Sequence, residues 1–370
     1  MVEVLKKIDK KILIIICAIL LLPIVLIIFL AIIQGCSNSN ITHEKYEEKM
    51  IEAAQKYFED NDNMPKEESE AKTVELSTIV NKKYIKSAEE LVGDGSCKGS
   101  VTVRRNGVVI EENDGGYLNY TVNLECDTYQ TNTLINNLMK DVVSQGSGLY
   151  QDNNYYVYKG DEVNNYITFY GVDYRIININ ENRMIKLLKV ESELLDRFWD
   201  NKYNVEVSDL YGKNIYADSA ILKNIILDYN NTKIIAPEAK KRIISTDVCI
   251  DSRDINNVAI SDYVCSNKLE NQVISLIDVS DFAKASLDLD CTTIYSRSCG
   301  NYNYLKELNL RTWTPTSVSN NTYQVYYLTN GIIKIQEASK YENYNLVIHI
   351  DGNEKIVSGK GTKTEPYVVK

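Results

Sequence analysis

The sequence predicts an α+β protein in three parts: an N-terminal transmembrane helix, a small module of one helix and an antiparallel sheet, and a larger mixed α+β domain. Three observations carry this. An uncharged apolar run stands at Ile12 to Ile33, one amphipathic helical stripe follows it, and short alternating strand patterns separated by Asn/Gly turns fill most of the rest. The 370 residues exceed one average domain and fit an anchor plus two. With 44% apolar and 25% charged residues the chain has globular composition, which excludes a disordered tail. A net charge of -10 argues against a nucleic-acid partner, because neutralising phosphates takes clustered Lys and Arg.

The apolar run is long enough, at about 1.5 Å per residue, to cross a bilayer core of roughly 30 Å. We draw the span at 12–34, with Pro23 tolerated as transmembrane helices allow. Ahead of it Lys6, Lys7, Lys10 and Lys11 outweigh Glu3 and Asp9, so the positive-inside rule assigns residues 1–11 to the cytoplasm and everything beyond the span to the outside. A cleaved signal peptide fits less well, since its apolar region is about 7 to 15 residues long and ends in an A-x-A-like site. Ile33-Gln34-Gly35-Cys36 resembles a bacterial lipobox, which makes Cys36 a candidate for lipidation, although Gln34 departs from the small residue usual there.

The module at 42–130 opens with Thr42 as a helix cap, and Tyr46, Met50, Ala54, Tyr57 and Phe58 fall on one helical stripe. Ser87 and Glu90 have capping-box spacing. Val101 and Val103, then Val108 and Ile110, alternate about Asn106-Gly107, a strong hairpin signal, and Tyr120, Val122 and Leu124 continue a third strand. A membrane helix followed by an amphipathic helix and a small sheet is similar in outline to pilins and pseudopilins. The chain lacks their short Gly-terminated leader and the Glu at the fifth position of the apolar helix.

Ser144-Gln-Gly-Ser-Gly148 reads as an interdomain joint, and the domain at 150–370 follows. Strands are expected at 166–169, 172–180 and 184–190, and a helix capped by Ser219. Hairpins are expected over Asn330-Gly331 and Asp351-Gly352. Apart from Cys17 and Cys36, six cysteines remain. Six allow fifteen connectivities, and pairing neighbours, Cys97 with Cys126, Cys249 with Cys265 and Cys291 with Cys299, keeps each bridge within one supersecondary unit of an oxidised, extracellular protein.

The runs Asn164–Ile177, Ser219–Ile226 and Ile274–Ala283, with Arg311-Thr-Trp313 and the closing Ser358–Tyr367, resemble membrane-anchored surface proteins of low-GC Gram-positive bacteria. Through them the domain at 150–370 distantly resembles the C-type-lectin-like fold of lectins and the formylglycine-generating enzyme (sulfatase-modifying factor). The chemistry of those families transfers poorly. C-type lectins hold calcium through Glu-Pro-Asn and Trp-Asn-Asp, whereas here Trp199-Asp-Asn201 has another order and Glu-Pro-Asn is absent. Cys291 and Cys299 are spaced more widely than the enzyme's cysteine pair.

Catalytic signatures are sparse. His43 lies in the linker and His349 in an apolar strand, G-x-S-x-G does not occur, and the 51 Asp and Glu offer no marked pair for glycoside hydrolysis. No metal site and no cofactor is expected. Aromatic rings are the better prospect, since tyrosines number 27 against five phenylalanines and flat rings stack on sugars and anchor interfaces at little entropic cost. Trp313, Trp199 and Tyr156 are the candidate ligand-binding residues. The expected function is a non-catalytic cell-surface protein, membrane-bound through a single span, that binds glycan or protein ligands through loops of its C-terminal domain in adhesion or recognition. The alternatives are an envelope or pilus-like structural protein and a surface hydrolase or thiol-dependent enzyme.

Overall fold

The computed structural model describes residues 40–106, 117–203, 212–254 and 265–370. It is a mixed α+β fold with mostly strands and few helices. Among those residues no helix is long and apolar enough to cross a membrane. The tail 1–11, the span 12–34, Cys36, and Gly107, Val108 and Ile110 of the first expected hairpin lie outside them.

Two apolar cores form, one on either side of residue 131. The smaller is built by the helix His43–Asp60, whose Thr42 side chain accepts from Lys45 N as a cap, and whose stripe of Tyr46, Met50, Ala53, Ala54 and Phe58 is buried. That stripe packs on an antiparallel sheet in the order β1 (Ala71–Glu75), β2 (Lys98–Asn106), β3 (Tyr117–Glu125), burying Val74, Val101, Val103, Val122 and Leu124. One edge strand is thus β1, a segment whose alternation is too short to announce itself in the sequence. Ser87 accepts from Glu90 N at the short helix Ala88–Leu91, as its spacing predicts.

The larger core begins with the helix Leu134–Leu138, ahead of the Ser/Gly stretch read as a joint, and Gly148 opens a strand. Its strands are β4 (Gly148–Asp152), β5 (Tyr155–Lys159), β6 (Tyr166–Phe169), β7 (Val172–Ile179), β8 (Met184–Lys189), β9 (Glu193–Phe198), β10 (Thr246–Cys249), β11 (Lys268–Gln272), β12 (Ser275–Leu276), β13 (Arg311–Ser317), β14 (Gln324–Thr329), β15 (Ile332–Glu337), β16 (Tyr341–Tyr344), β17 (Leu346–Asp351), β18 (Ile356–Ser358) and β19 (Tyr367–Val369). The main sheet runs β12-β17-β8-β7-β6-β19-β18, with β5 joined to the far end of β7 and β4 to β5. Among the strands of the described residues, β6 and β19 alone pair in parallel. Smaller sheets β13-β14-β15, β9-β16 and β10-β11 flank it.

Asn330 and Gly331 turn β14 into β15 with φ of 50° and 73°, the doubly left-handed turn that Asn-Gly favours. The hairpin expected over Asp351-Gly352 does not form. Here β17 pairs with β8 and β12, while β18 pairs with β19, because Gly352 is tied instead to Arg183 O through its N–H and to Ile135 N through its carbonyl. The three disulfides pair Cys97 with Cys126, Cys249 with Cys265 and Cys291 with Cys299, which fits a protein made for an oxidising compartment.

The two units meet along a polar joint. Lys355 Nζ stands 2.5 Å from the buried Glu47 Oε2, and Arg104 Nε 3.4 Å from Asp351 Oδ2. Ser69 Oγ donates to Ser245 O, and Asn106 Nδ2 donates to Lys241 O. Within the larger unit, backbone bonds from Leu134 N to Glu354 O and from Ile356 N to Asn132 O anchor the segment that leads out of the joint.

Candidate functional site

Sheet register places a row of side chains across one face of the main sheet. Val157 of β5 is opposite Asn178 of β7, Asn178 is opposite Lys186 of β8, and Lys186 is opposite His349 of β17. Cross-strand partners project from the same face, so these four form one line. Three of them are polar, on strands otherwise rich in Ile and Leu.

Over this row lies a cleft of about 360 Å³, within the range of small-molecule sites. Its walls are Thr246 to Cys249 on β10 with the Cys249–Cys265 bridge, Ser275 and Leu276 of β12, the helix Val279–Lys284, and Tyr155 at the rim, 47% exposed. The bridge fixes one wall. The helix is held over the sheet by a capping box, in which Asp278 Oδ1 accepts from Ser280 N at 2.7 Å and Asp281 Oδ2 from Asp278 N at 3.1 Å.

Each ionisable lining residue other than the tyrosine already has a partner. Lys186 Nζ is 2.5 Å from Asp281 Oδ2, and Asn178 Nδ2 donates to Asp281 Oδ1 at 3.4 Å. Asp278 Oδ2 accepts from Thr316 Oγ1 at 2.8 Å. Lys268 pairs with Asp247 at 3.6 Å and Lys284 with Asp152 at 3.7 Å. Thr246 Oγ1 lies 3.1 Å from His349 Nδ1, and burial, together with the Lys186 ammonium, pushes the imidazole down to about 3, so His349 is neutral at neutral pH. The cleft therefore offers amides, hydroxyls, an aromatic ring and internally compensated charge.

The residues singled out from sequence do not assemble here. Trp199 and Trp313 are each 0% exposed, and their indole N–H groups donate to Thr314 O and Arg197 O, so both rings are filled into the core. Tyr156 follows Tyr155 on β5 and so turns to the opposite face, where it packs half-buried against the large core. Strand alternation is what separates the two tyrosines. Asn178, Lys186, Thr246, Asp278 and Asp281 were not singled out. Asp278 and Asp281 carry a readable signal, an acid at the cap and another three residues on, while Lys186 interrupts the apolar run of β8.

Cys249, Asp251 and Cys265 lie close together, but they bring three ligand atoms at most, and the carboxylate is already filled by Ser266 N, Asn267 N and Asn267 Nδ2. Comparison with family models, curated proteins and solved structures returns no match.

Proposed function

We propose that the chain is a membrane-anchored surface protein whose larger unit is a non-catalytic module that binds a glycan in the cleft below Tyr155. The observation that carries this reading is the compensation of charge described above. Groups locked into pairs are poorly placed to move protons or attack a substrate, whereas fixed amides and hydroxyls beside a half-exposed ring match a polyhydroxylated ligand. The apolar run 12–34 with lysines ahead of it supports the anchor, with residues 1–11 in the cytoplasm, and the disulfides agree with an exterior location. The sequence resemblance of residues 150–370 to C-type-lectin-like surface domains points the same way, without their calcium ligands.

A glycan array probed with the 40–370 fragment tests the binding, and a hit should disappear in Tyr155→Ala. A folded fragment that stays silent on glycans and binds on a protein array would replace the ligand class. Silence on both would reject the module. Protease added to intact cells should remove the ectodomain, and full protection would reject the topology. The packing of the helix His43–Asp60 on a three-stranded sheet favours one second reading, a pilin-like envelope component, which would show as ordered oligomers on crosslinking.

A further inference from the structure

Four side chains with metal-ligand chemistry meet at one corner of the small unit. Cys97 precedes β2 and Cys126 follows β3, so their sulfurs extend a ladder whose last pair is Lys98 with Glu125 and whose other end is Asn106 with Tyr117. The backbone, and not only the S–S bond, holds them together. His43, the first residue of the long helix, sits beside them with its ring stacked on Tyr129, centroids 4.5 Å apart and planes 9° from parallel.

The Nε2 of His43 is shut away from solvent and has no hydrogen-bond partner among the described residues. Its nearest acid oxygen is Asp94 Oδ2 at 3.7 Å, too far for a hydrogen bond. The other oxygen, Asp94 Oδ1, is held by Ser96 N at 2.9 Å and Ser96 Oγ at 2.5 Å, which fixes the carboxylate and leaves Oδ2 directed at the imidazole. One ligand atom each from His43, Asp94, Cys97 and Cys126 lies within 4.8 Å of all the others. Atoms 2.0 to 2.3 Å from a shared tetrahedral centre stand about 3.3 to 3.8 Å apart, so closing this cluster on an ion takes shifts of about 1 Å. A surface hollow of about 440 Å³, lined by Asp94, Gly95 and Cys97, opens beside it as an entry path.

We infer that, once the Cys97–Cys126 bridge is reduced, this corner becomes a tetrahedral site for a borderline-soft divalent cation, zinc above all, bound by two thiolates, the His43 imidazole and the Asp94 carboxylate. The reductant is a dithiol: it passes two electrons and two protons to the disulfide and is itself oxidised to a disulfide. The incoming cation then displaces the two thiol protons to solvent. The corner is cross-linked in either state, by sulfur when oxidised and by metal when reduced, and in the second state the helix is clipped to the sheet as well.

The test uses the full chain in detergent micelles, reduced with a dithiol without air, freed of reductant and titrated with Co²⁺ alone. The expected result is one equivalent taken up with a thiolate-to-cobalt charge-transfer band and tetrahedral visible bands, both missing for the oxidised chain. Cys97→Ser should abolish the bands, and His43→Ala and Asp94→Asn should each weaken binding at least about tenfold, the scale seen for perturbed metal sites. The Cys249→Ser/Cys265→Ser double variant should keep them. If that variant fails to fold, X-ray absorption of the reduced wild type should count two sulfurs and two lighter ligands. Uptake indifferent to His43→Ala and Asp94→Asn, no stoichiometric uptake, or loss of β structure on reduction alone would each overturn the inference.

Discussion

The joint between the two units and the cleft in the larger one are served by the same strand and treat charge in opposite ways. His349, in the body of β17, belongs to the cleft, and Asp351, at its end, belongs to the joint. In the joint Arg104 meets Asp351 and Lys355 meets Glu47, so ionic groups are spent in tying one unit to the other. In the cleft Lys186 and Asp281 are spent on each other within one unit, and the charged groups nearer the opening are paired there as well, Lys268 with Asp247 and Lys284 with Asp152. Burial also removes charge in opposite senses. It pushes the Glu354 carboxyl up to about 7, with Asp351 adding to the rise and Arg242 opposing it, and it pushes the His349 imidazole down. A joint is expected to respond to mutation through stability, and a binding cleft through affinity.

The core beneath both regions sets the scale of the largest effect. Trp313→Ala removes a fully buried ring and orphans Arg197 O, and should cost about 3 to 5 kcal/mol in denaturant unfolding of the 40–370 fragment. Lost binding with unchanged stability would instead make Trp313 a ligand contact.

Glu47→Ala probes the joint. It strips Lys355 of its partner, leaves Tyr129 OH without its acceptor and takes from the buried Thr131 Oγ1 its carboxylate partner, leaving it Leu124 O at 3.2 Å, for an expected loss of about 3 kcal/mol. Lys186→Met in the cleft should cost less, about 1 kcal/mol, because Asp281 keeps the Asp278 N–H and the Asn178 amide. Equal losses at the two positions would erase the distinction between joint and cleft.

Much of this architecture was legible in the sequence, and the exceptions have physical causes. Local signals held: the caps at Thr42, Ser87 and Ser219, the Asn330-Gly331 turn and the neighbour pairing of cysteines all depend on contacts a few residues apart or within one unit. The cleft depends on β17 inserting between β8 and β12, a pairing fixed by tertiary packing that no local pattern records. The Tyr155-Tyr156 doublet carries no alternation of its own, so only the register of β5 on β7 tells which ring faces the cleft. Trp199 and Trp313 stand out in the sequence as ligand-binding candidates because what buries them arrives from distant strands.

A pH titration of stability should expose the two oppositely perturbed groups. Glu354, ordinarily at 4.5 and about 7 when folded, contributes stability that is complete below 4.5 and declines as pH rises to about 7, because the folded state holds the extra proton. His349, ordinarily at 6.5 and about 3 when folded, contributes stability that is complete above 6.5 and declines as pH falls toward 3. Between 4.5 and 6.5 the two slopes oppose, so their sum in the wild type should be nearly flat. Glu354→Gln should unmask a rise of about 2 kcal/mol across that interval, and His349→Gln a fall of similar size. Chemical denaturation at stepped pH reads both, and a Glu354→Gln profile as flat as the wild type would show that neither group is perturbed as described.

The smallest expected effect on stability is the most informative about the cleft. Tyr155 stands 47% exposed at the rim, on the face of β5 that carries Val157. Its truncation opens no cavity in the core, so Tyr155→Ala should change unfolding free energy by about 0.5 kcal/mol or less. If its ring stacks on a ligand, the same change should weaken binding by more than about 1 kcal/mol, roughly fivefold to tenfold in Kd. Tyr156→Ala makes the matched control. That ring packs against the large core on the other face of the strand, so its loss should cost stability of about 1 to 3 kcal/mol and leave affinity of the folded protein unchanged. Calorimetric titration and denaturant melts on the two neighbours separate the faces of one strand, and a Tyr156→Ala variant that loses affinity while keeping its stability would move the site to the other side of the sheet.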